Sequence, residues 1–239
     1  MNNFDPAQLT ILFDLDGTLV DTAPDIVAAA NLMLSELNAP PLSFELVSSF
    51  IGNGVPNLVR CVLNVSEVTE KMNVTDVSYA EDIFFKYYRQ TNGYIGAVFP
   101  GVVAGLTILK KAGCRLACVT NKPFEMAQIL LQITGLAGYF EAVVGGDSLA
   151  QMKPAAEPLL HACRLLGGCA ENALMVGDSA VDVAAARAAG MPVLIVNYGY
   201  PGSKGLAALS CDAFIDSFIE IPDFLAPKLE SLPISQMQN

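Results

Sequence analysis

Near its N-terminus the chain reads Leu9-Thr10-Ile11-Leu12-Phe13-Asp14-Leu15-Asp16-Gly17-Thr18. A short apolar run ends abruptly here in two aspartates, a glycine and a threonine. A buried strand that stops in polar residues and glycine is the usual beginning of an α/β unit. The stretch therefore predicts the first strand of a parallel sheet, with Asp14 and Asp16 at its carboxyl end.

The second half of the chain repeats this pattern. Apolar runs predict strands at 115–119, 142–144, 173–176 and 193–196. Helical periodicity predicts helices between and around them, at 102–111, 123–133, 157–166 and 181–189. Strands and helices that alternate at this spacing indicate an α/β fold, a doubly wound, Rossmann-like parallel sheet with helices on both faces.

Between residues 22 and 97 helical periodicity continues while strand signals are scarce. Thr22 and Asp25 match a variant of the capping box, with Pro24 in the first turn, and predict a helix that continues to about residue 37. Two further helices are predicted, from Pro56 to about residue 63 and over 79–89. We therefore expect an α/β hydrolase core of residues 1–21 plus 98–239 and an inserted helical cap domain of residues 22–97.

The composition narrows the possible partners. The 239 residues carry a formal net charge of −11 and no cluster of lysine or arginine, so we expect no nucleic acid partner. No apolar segment reaches the ~18 residues of a membrane helix, and the first nine residues resemble no export signal. The six cysteines and one histidine are scattered, which makes a zinc site improbable. We expect a cytoplasmic monomer or homodimer without a membrane partner.

Four polar clusters carry the candidate chemistry. They are Asp14-x-Asp16-Gly17-Thr18, Thr120-Asn121, Lys153-Pro154, and Gly177-Asp178-Ser179 with Asp182. The first, second and fourth directly follow predicted strands. Because ligands of parallel sheets bind beyond the carboxyl ends of the strands, we expect these clusters to lie side by side.

These residue types suit phosphoryl transfer. A carboxylate that attacks a phosphate dianion meets a repulsion of about 4 kcal/mol per charge pair at ~4 Å and an effective dielectric near 20. A hard dication bound by Asp14 and Asp178 would relieve that repulsion, and Lys153 would add a point charge. The Thr120 hydroxyl and backbone N–H groups could bind phosphate oxygens; these N–H groups lie at Leu15 to Gly17 and at Asn121. Asp16 would serve as general acid and base.

The four clusters together resemble the signature motifs of the haloacid-dehalogenase-like hydrolase superfamily. The resemblance implies that Asp14 is the nucleophile and Asp16 the acid/base, with the Asp16 backbone carbonyl on Mg²⁺. It also implies phosphate contacts from Thr120 and Lys153. In Val176-Gly177-Asp178-Ser179-x-x-Asp182 it implies that Asp178 binds the metal and that Asp182 supports the metal site.

Further segments resemble the phosphoglycolate phosphatase family. They are Thr22-Ala23-Pro24-Asp25-Ile26, Ile51-Gly52-Asn53-Gly54-Val55, Phe99-Pro100-Gly101-Val102 and Tyr198-Gly199-Tyr200. This resemblance implies a mobile cap that closes over the substrate. The sequence departs from the family in the loop after Lys153-Pro154. Family members usually have a small-polar or proline pattern there, often with a histidine or a proline, whereas this chain has Ala155-Ala156-Glu157-Pro158.

The motifs bind only the phosphoryl group, so several substrates stay open. The best single hypothesis is 2-phosphoglycolate, with Gly54 meeting its carboxylate at a helix N-terminus. Other small phosphomonoesters remain alternatives, including sugar phosphates and N-acetylmuramic acid 6-phosphate, as does pyrophosphate. A phosphomutase and a catalytically silent regulatory homologue are the less favoured functions. Asp16 argues against a dehalogenase, where it would have no purpose.

Overall fold

The computed structural model describes residues 9–66, 75–202 and 205–229. Its strands are β1 Thr10–Phe13, β2 Val20–Asp21, β3 Ala97–Val98, β4 Arg115–Val119, β5 Ala142–Val144, β6 Ala173–Gly177, β7 Val193–Val196 and β8 Ala213–Ile215. Its α-helices are α1 Ala23–Glu36, α2 Phe44–Ser48, α3 Val55–Val65, α4 Thr75–Thr91, α5 Val102–Lys111, α6 Phe124–Ile133, α7 Glu157–Leu165, α8 Ala180–Ala189 and α9 Ile221–Leu229.

Within these residues the core is a six-stranded sheet in the order β5-β4-β1-β6-β7-β8, and every neighbouring pair is parallel. Strand β1 lies in the middle, with Thr10 aligned to Arg115 of β4 and to Ala173 of β6. All four β1 residues are buried, which explains why this strand has an apolar run instead of an alternating pattern. The predicted α/β class with a parallel sheet is confirmed.

Helices cover both faces of the sheet. One apolar cluster joins Ile11 and Phe13 to residues of α5, α6 and α9. The opposite cluster joins Leu12 and Met175 to residues of α7 and α8. Successive side chains of a strand point to opposite faces, so Leu12 belongs to one cluster and its two neighbours to the other. The sheet is therefore doubly wound.

The helices between β2 and β3 have an apolar cluster of their own. Its members come mainly from α1, α3 and α4, and Met126 of α6 joins it from the core. The antiparallel pair β2–β3 connects these helices to the sheet at both ends. The division into residues 22–97 and the remainder stays a prediction, although the separate cluster supports it.

Several local predictions need correction. The capping box at α1 is wrong, because the buried Thr22 hydroxyl finds no hydrogen-bond partner among the described residues. The Asp25 carboxylate instead accepts from the backbone N–H groups of Gly93 (3.0 Å) and Ile95 (2.8 Å), at the far end of the insert. The short elements α2, β2, β3 and β8 were not predicted, and α4 begins at Thr75 instead of residue 79. Of the described helices, none is both long and apolar enough to cross a membrane.

Candidate active site

The carboxyl edge of the sheet gathers the predicted catalytic side chains. Asp14 follows β1, Thr120 follows β4 and Asp178 follows β6. Lys153 arrives from the loop between β5 and α7, and its Nζ lies 2.9 Å from Oδ1 of Asp14 and 2.7 Å from Oδ1 of Asp182. The structure thus brings together residues from all four sequence clusters.

Buried negative charge dominates this edge. Carboxylate oxygens of Asp14, Asp178 and Asp182 lie within 4.8 Å of one another, and all three residues are buried. Burial raises the pKa of Asp14 to about 7, against the attraction of Lys153 and with a further increase from Asp182. Burial, followed by repulsion from Asp182 and Asp14, also raises the pKa of Asp178 well above its usual value. The single positive charge of Lys153 therefore does not balance the negative charge of the three carboxylates.

Lys153 stays charged in this setting. Burial alone would lower the pKa of its ammonium, but the carboxylates of Asp14 and Asp182 outweigh burial and raise that pKa. The side chain is 1% exposed, so its charge is held against the nucleophile candidate with little screening by water.

Asp182 has little capacity left for a metal ion. Its Oδ1 accepts from Lys153, and its Oδ2 accepts from the backbone N–H of Asp178 (3.2 Å) and from both N–H and Oγ of Ser179 (3.1 and 2.8 Å). The bond from the Ser179 N–H is one half of the capping box that begins α8, and the other half joins the Ser179 side chain to the Asp182 backbone N–H. Asp182 therefore fixes Lys153 and the turn after β6, and its support of a metal site stays a prediction.

Asp14 and Asp178 are better suited to hold a cation. Asp178 accepts from Thr18 Oγ1 (3.1 Å) and from the backbone N–H of Tyr200 (2.6 Å), which fixes the carboxylate while each oxygen keeps a free lone pair. A Cβ added to Gly17 or Gly199 would approach Asp178 to 2.3 or 2.2 Å, so the backbone can close around this carboxylate only with glycine there. Hard oxygen ligands with excess negative charge fit a divalent cation such as Mg²⁺.

Asp16 is positioned by a turn and not by an extended strand. Strand β1 ends at Phe13, and Gly17 has a φ of 82°, a conformation that glycine adopts without steric penalty. Both Asp16 and Asp14 nevertheless line one cavity, as the acid/base prediction requires. The Asp16 carboxylate accepts from Nζ of Lys122 at 3.1 Å.

Lys122 was not predicted as a site residue. It follows Thr120-Asn121 in sequence, is 4% exposed and lines the same cavity. The only sequence signal was its position directly after a polar pair at a strand end. Its ammonium also donates to the hydroxyl of Tyr88, in α4 of the insert.

The groups predicted to bind phosphate have mixed surroundings. Thr120 lines the cavity, and its Oγ1 accepts from the backbone N–H of Lys122 (3.2 Å), which leaves the hydroxyl hydrogen to donate. The N–H of Leu15 donates to Asp14 Oδ1 (2.7 Å) and that of Gly17 to the Val20 carbonyl (2.9 Å). A phosphate would have to share or displace these two bonds, and the phosphate contacts of Leu15 and Gly17 stay a prediction.

Asn121 joins the core to the insert. Its Nδ2 donates to the carbonyl of Gly52 (3.0 Å) in the insert and to that of Lys153 (2.8 Å) in the core. Gly54, two residues after Gly52, lines the same cavity at the beginning of α3 and has a φ of 79°. The loop that carries Gly52 and Gly54 is thus in contact with the catalytic edge.

The core and the segment between β2 and β3 together line one cavity at Asp14 and Asp16. The other polar side chains in its lining are those of Thr120, Asn121 and Lys122. The segment between β2 and β3 contributes Gly52, Gly54 and the larger residues of the lining, which are Ile26, Ile51, Val55, Leu58, Phe84 and Tyr88. The volume open to the centre of a water-sized sphere is about 40 Å³, which is enough for a few water molecules at roughly 10–15 Å³ each.

Comparison with known proteins agrees with this geometry. The family model described as haloacid dehalogenase-like hydrolase matches residues 9–190. The Cupriavidus necator protein named "Phosphoglycolate phosphatase, plasmid" is 57% identical to this chain, over 91% of this chain and 93% of its own length. The phosphoglycolate phosphatase of Thiobacillus denitrificans is 41% identical, over 92% of this chain and 96% of its own length. A crystal structure of a predicted phosphoglycolate phosphatase from Haemophilus somnus superposes with a TM-score of 0.86 at 33% identity, over 91% of this chain and 98% of that chain.

The chain belongs to the haloacid dehalogenase-like hydrolase family. It is an enzyme of the phosphatase class, since the similar proteins just described carry that name and the match spans nearly the whole of both chains.

Proposed function

We propose that this phosphatase hydrolyses 2-phosphoglycolate to glycolate and phosphate, with Mg²⁺ as its cofactor and an acyl phosphate on Asp14 as its intermediate. The observation that carries the proposal is the small cavity in which Asp14 and Asp16 face a mostly apolar lining, with Lys153 behind Asp14. The names of the Cupriavidus necator and Thiobacillus denitrificans relatives, both phosphoglycolate phosphatases, support the same substrate.

In the first step a carboxylate oxygen of Asp14 attacks phosphorus while the bond to the leaving oxygen breaks. Lys153 Nζ, 2.9 Å from Oδ1, holds the carboxylate in place and offsets charge on the transferring group. A protonated Asp16 gives its proton to the leaving oxygen, so the products are an acyl phosphate on Asp14 and a free alcohol.

In the second step a water molecule attacks the phosphorus of the acyl phosphate. The ionised Asp16 takes one proton from this water, the phosphorus–Asp14 bond breaks, and inorganic phosphate leaves. Asp14 returns as a carboxylate and Asp16 as an acid, so the cycle closes. The Thr120 hydroxyl is available to bind an equatorial phosphate oxygen in both steps.

Mg²⁺ bound by the carboxylates of Asp14 and Asp178 and by the Asp16 main-chain carbonyl would supply positive charge against the phosphate dianion. Asp182 contributes through Lys153 and the turn at Asp178 and not as a ligand. The excess of buried carboxylates over lysines at this edge supports that assignment.

We further propose that the helices between β2 and β3 act as a cap over the substrate, held in contact with the core by Asn121. A cytoplasmic location and a monomeric or homodimeric state stay predictions.

The test is phosphate release with Mg²⁺ or with EDTA on a panel of substrates. The panel holds 2-phosphoglycolate, sugar phosphates, N-acetylmuramic acid 6-phosphate and pyrophosphate. We expect kcat/KM for 2-phosphoglycolate to exceed the others and EDTA to abolish turnover. A strong preference for another substrate would refute the substrate, whereas full activity in EDTA would refute the metal. Phosphoryl return to a sugar would favour a mutase.

A further inference from the structure

We propose that Lys122 determines specificity by binding a second negative charge of the substrate, a carboxylate on the leaving group. This inference rests on the proposed function and extends it to the residue that recognises the organic part of the substrate. Lys122 lies directly after Thr120-Asn121 but on the side of the cavity that faces the insert, where its ammonium meets Tyr88 of α4.

Charge balance inside the cavity is the first argument. Among the described residues that line it, Lys122 is the one cationic side chain, and the remaining lining is two aspartates, two polar residues, glycines and apolar groups. A carboxylate placed among Ile26, Leu58 and Phe84 without a counter-charge would be strongly disfavoured. An anionic leaving group that enters this cavity therefore has Lys122 as its available partner.

The hydrogen-bonding capacity of the ammonium is the second argument. A lysine ammonium has three N–H donors. Lys122 uses one on Asp16 Oδ1, at 3.1 Å, and one on the Tyr88 hydroxyl. Among the described residues no acceptor takes the third, which leaves it for a ligand, and at 4% exposure water competes with that ligand only weakly.

The division of labour between two buried lysines is the third argument. Lys153 contacts Asp14 and Asp182 and serves the phosphoryl end of the site. Lys122 contacts Asp16, the residue proposed to protonate the leaving oxygen, and so lies at the leaving-group end. In 2-phosphoglycolate the carboxylate is one carbon away from that oxygen, within reach of a group beside Asp16.

The beginning of α3 adds a second feature on the same cavity. Gly54 and Val55 line it at the helix N-terminus, where free backbone N–H groups favour an anion. A carboxylate between Lys122 and this helix end would contact both the core and the insert. Because Tyr88 and α3 both lie between β2 and β3, recognition of the carboxylate would require these helices to contact the core, as they do through Asn121 and Lys122.

The test compares substrates that differ only in the carboxylate. One pair is 2-phosphoglycolate and ethyl phosphate, and the second is 2-phospholactate and isopropyl phosphate. For each pair the ratio of kcat/KM values is measured with Mg²⁺ for the wild type and for Lys122→Met, Lys122→Arg and the control Lys86→Met. Lys86 is an exposed lysine of α4 that pairs with Glu36 on the surface.

We expect the wild type to favour the carboxylate by about 10- to 100-fold in at least one pair, the usual range for a hydrogen bond to a charged group. Lys122→Met should reduce this ratio to near one, Lys122→Arg should keep part of it, and Lys86→Met should leave it unchanged. Thermal unfolding of each variant checks that it is folded. If Lys122→Met does not fold, Lys122→Gln replaces it.

The outcomes separate the two proposals. Equal losses on both members of a pair in Lys122→Met would mean that Lys122 only positions Asp16, and would overturn the inference while the proposed function stands. A wild type that is active but shows no carboxylate preference overturns it as well. Preference for 2-phospholactate without turnover of 2-phosphoglycolate would refute the proposed substrate and support the inference, provided that Lys122→Met abolishes the preference.

Discussion

The two sides of the cavity are built differently. On the core side Asp14, Lys153, Asp178 and Asp182 are buried at the carboxyl edge of the sheet, and each is held by charge-assisted hydrogen bonds. On the side of the insert the lining is mostly aliphatic and aromatic. The polar links across it are Lys122 to Tyr88 and Asn121 to Gly52.

This difference indicates a division between chemistry and selection. A network in which every carboxylate is fixed by several donors is preorganised for one charge distribution, that of the transferring phosphoryl group. An apolar wall with few polar contacts distinguishes ligands by size and by the placement of a single charge. Changes on the core side should therefore lower kcat for all substrates, whereas changes on the other side should alter KM and substrate preference.

The largest effect is expected at Asp14, the proposed nucleophile. Asp14→Asn keeps the size of the side chain and removes the carboxylate oxygen that attacks phosphorus. Phosphate release should fall by at least about 10⁴-fold, in the range found when a nucleophile is removed from other enzymes. Asp223→Asn, a neutralised exposed aspartate in the first turn of α9, serves as the control and should behave as the wild type.

A folded Asp14→Asn protein that turns over substrate at a near-normal rate would refute the assignment of the chemistry to the core side. The carboxylate network would then be structural, and the catalytic groups would have to lie elsewhere. Circular dichroism and thermal unfolding show whether the variant is folded.

A smaller effect is expected on stability, through the raised pKa values. The folded-state pKa of Asp14 is about 7, above its usual 3.8, because burial disfavours the charged form. Between these pH values the folded protein without metal keeps a proton that the unfolded chain releases. Its stability should therefore fall as the pH rises from about 4 to 7, by up to a few kcal/mol, and the pKa of Asp178 shifts in the same direction.

Mg²⁺ should reverse this loss, because it binds the ionised carboxylates. We expect the increase in Tm on adding Mg²⁺ to be larger at pH 8 than at pH 5, by about 5 °C or more. Calorimetry with Mg²⁺ or EDTA at both pH values measures it, and Asp178→Asn should diminish the increase. An equal increase at both pH values would show that the carboxylates that bind the metal are already ionised at pH 5, and would contradict the raised pKa values.

The sequence predicted the core side well for a physical reason. A parallel strand buried on both faces needs a continuous apolar run, and its end is marked by the first polar residues, as at Phe13 and Asp14. The helix Val102–Lys111 and the strands Arg115–Val119 and Val193–Val196 have the predicted bounds. Side chains at strand ends then converge by topology alone, which is why Asp14, Thr120 and Asp178 could be grouped without coordinates.

The structure on the side of the insert was less predictable from the sequence, because contacts between residues far apart in the chain determine it. Nothing local indicates that Asp25 accepts from N–H groups about seventy residues away instead of capping its own helix. Lys122 is one residue beyond a recognisable pair, and its meaning depends on Tyr88 from a different helix. The pair β2–β3 is two residues long on each side, too short to show any periodicity.

The smallest effect is expected at Gly54, on the side of the insert. Its φ of 79° disfavours any side chain, and an added Cβ would lie 3.3 Å from Sδ of Met152 in the core. Gly54→Ala should therefore disturb the fit of the α3 N-terminus against the catalytic edge. We expect KM for 2-phosphoglycolate to rise several-fold with kcat nearly unchanged, which corresponds to about 1 kcal/mol of binding.

Gly205→Ala is the matched control for backbone strain. Gly205 has a φ of 69° and a ψ of 175°, close to the 79° and 164° of Gly54, and an added Cβ there meets nothing within 4 Å. Both variants should lose about 1–3 kcal/mol of stability, because this backbone conformation is almost restricted to glycine, but only Gly54→Ala should change KM. Equal KM values in the two variants would remove Gly54 from substrate binding. A fall in kcat without a change in KM would instead place this loop with the chemistry, and the division between the two sides of the cavity would not hold there.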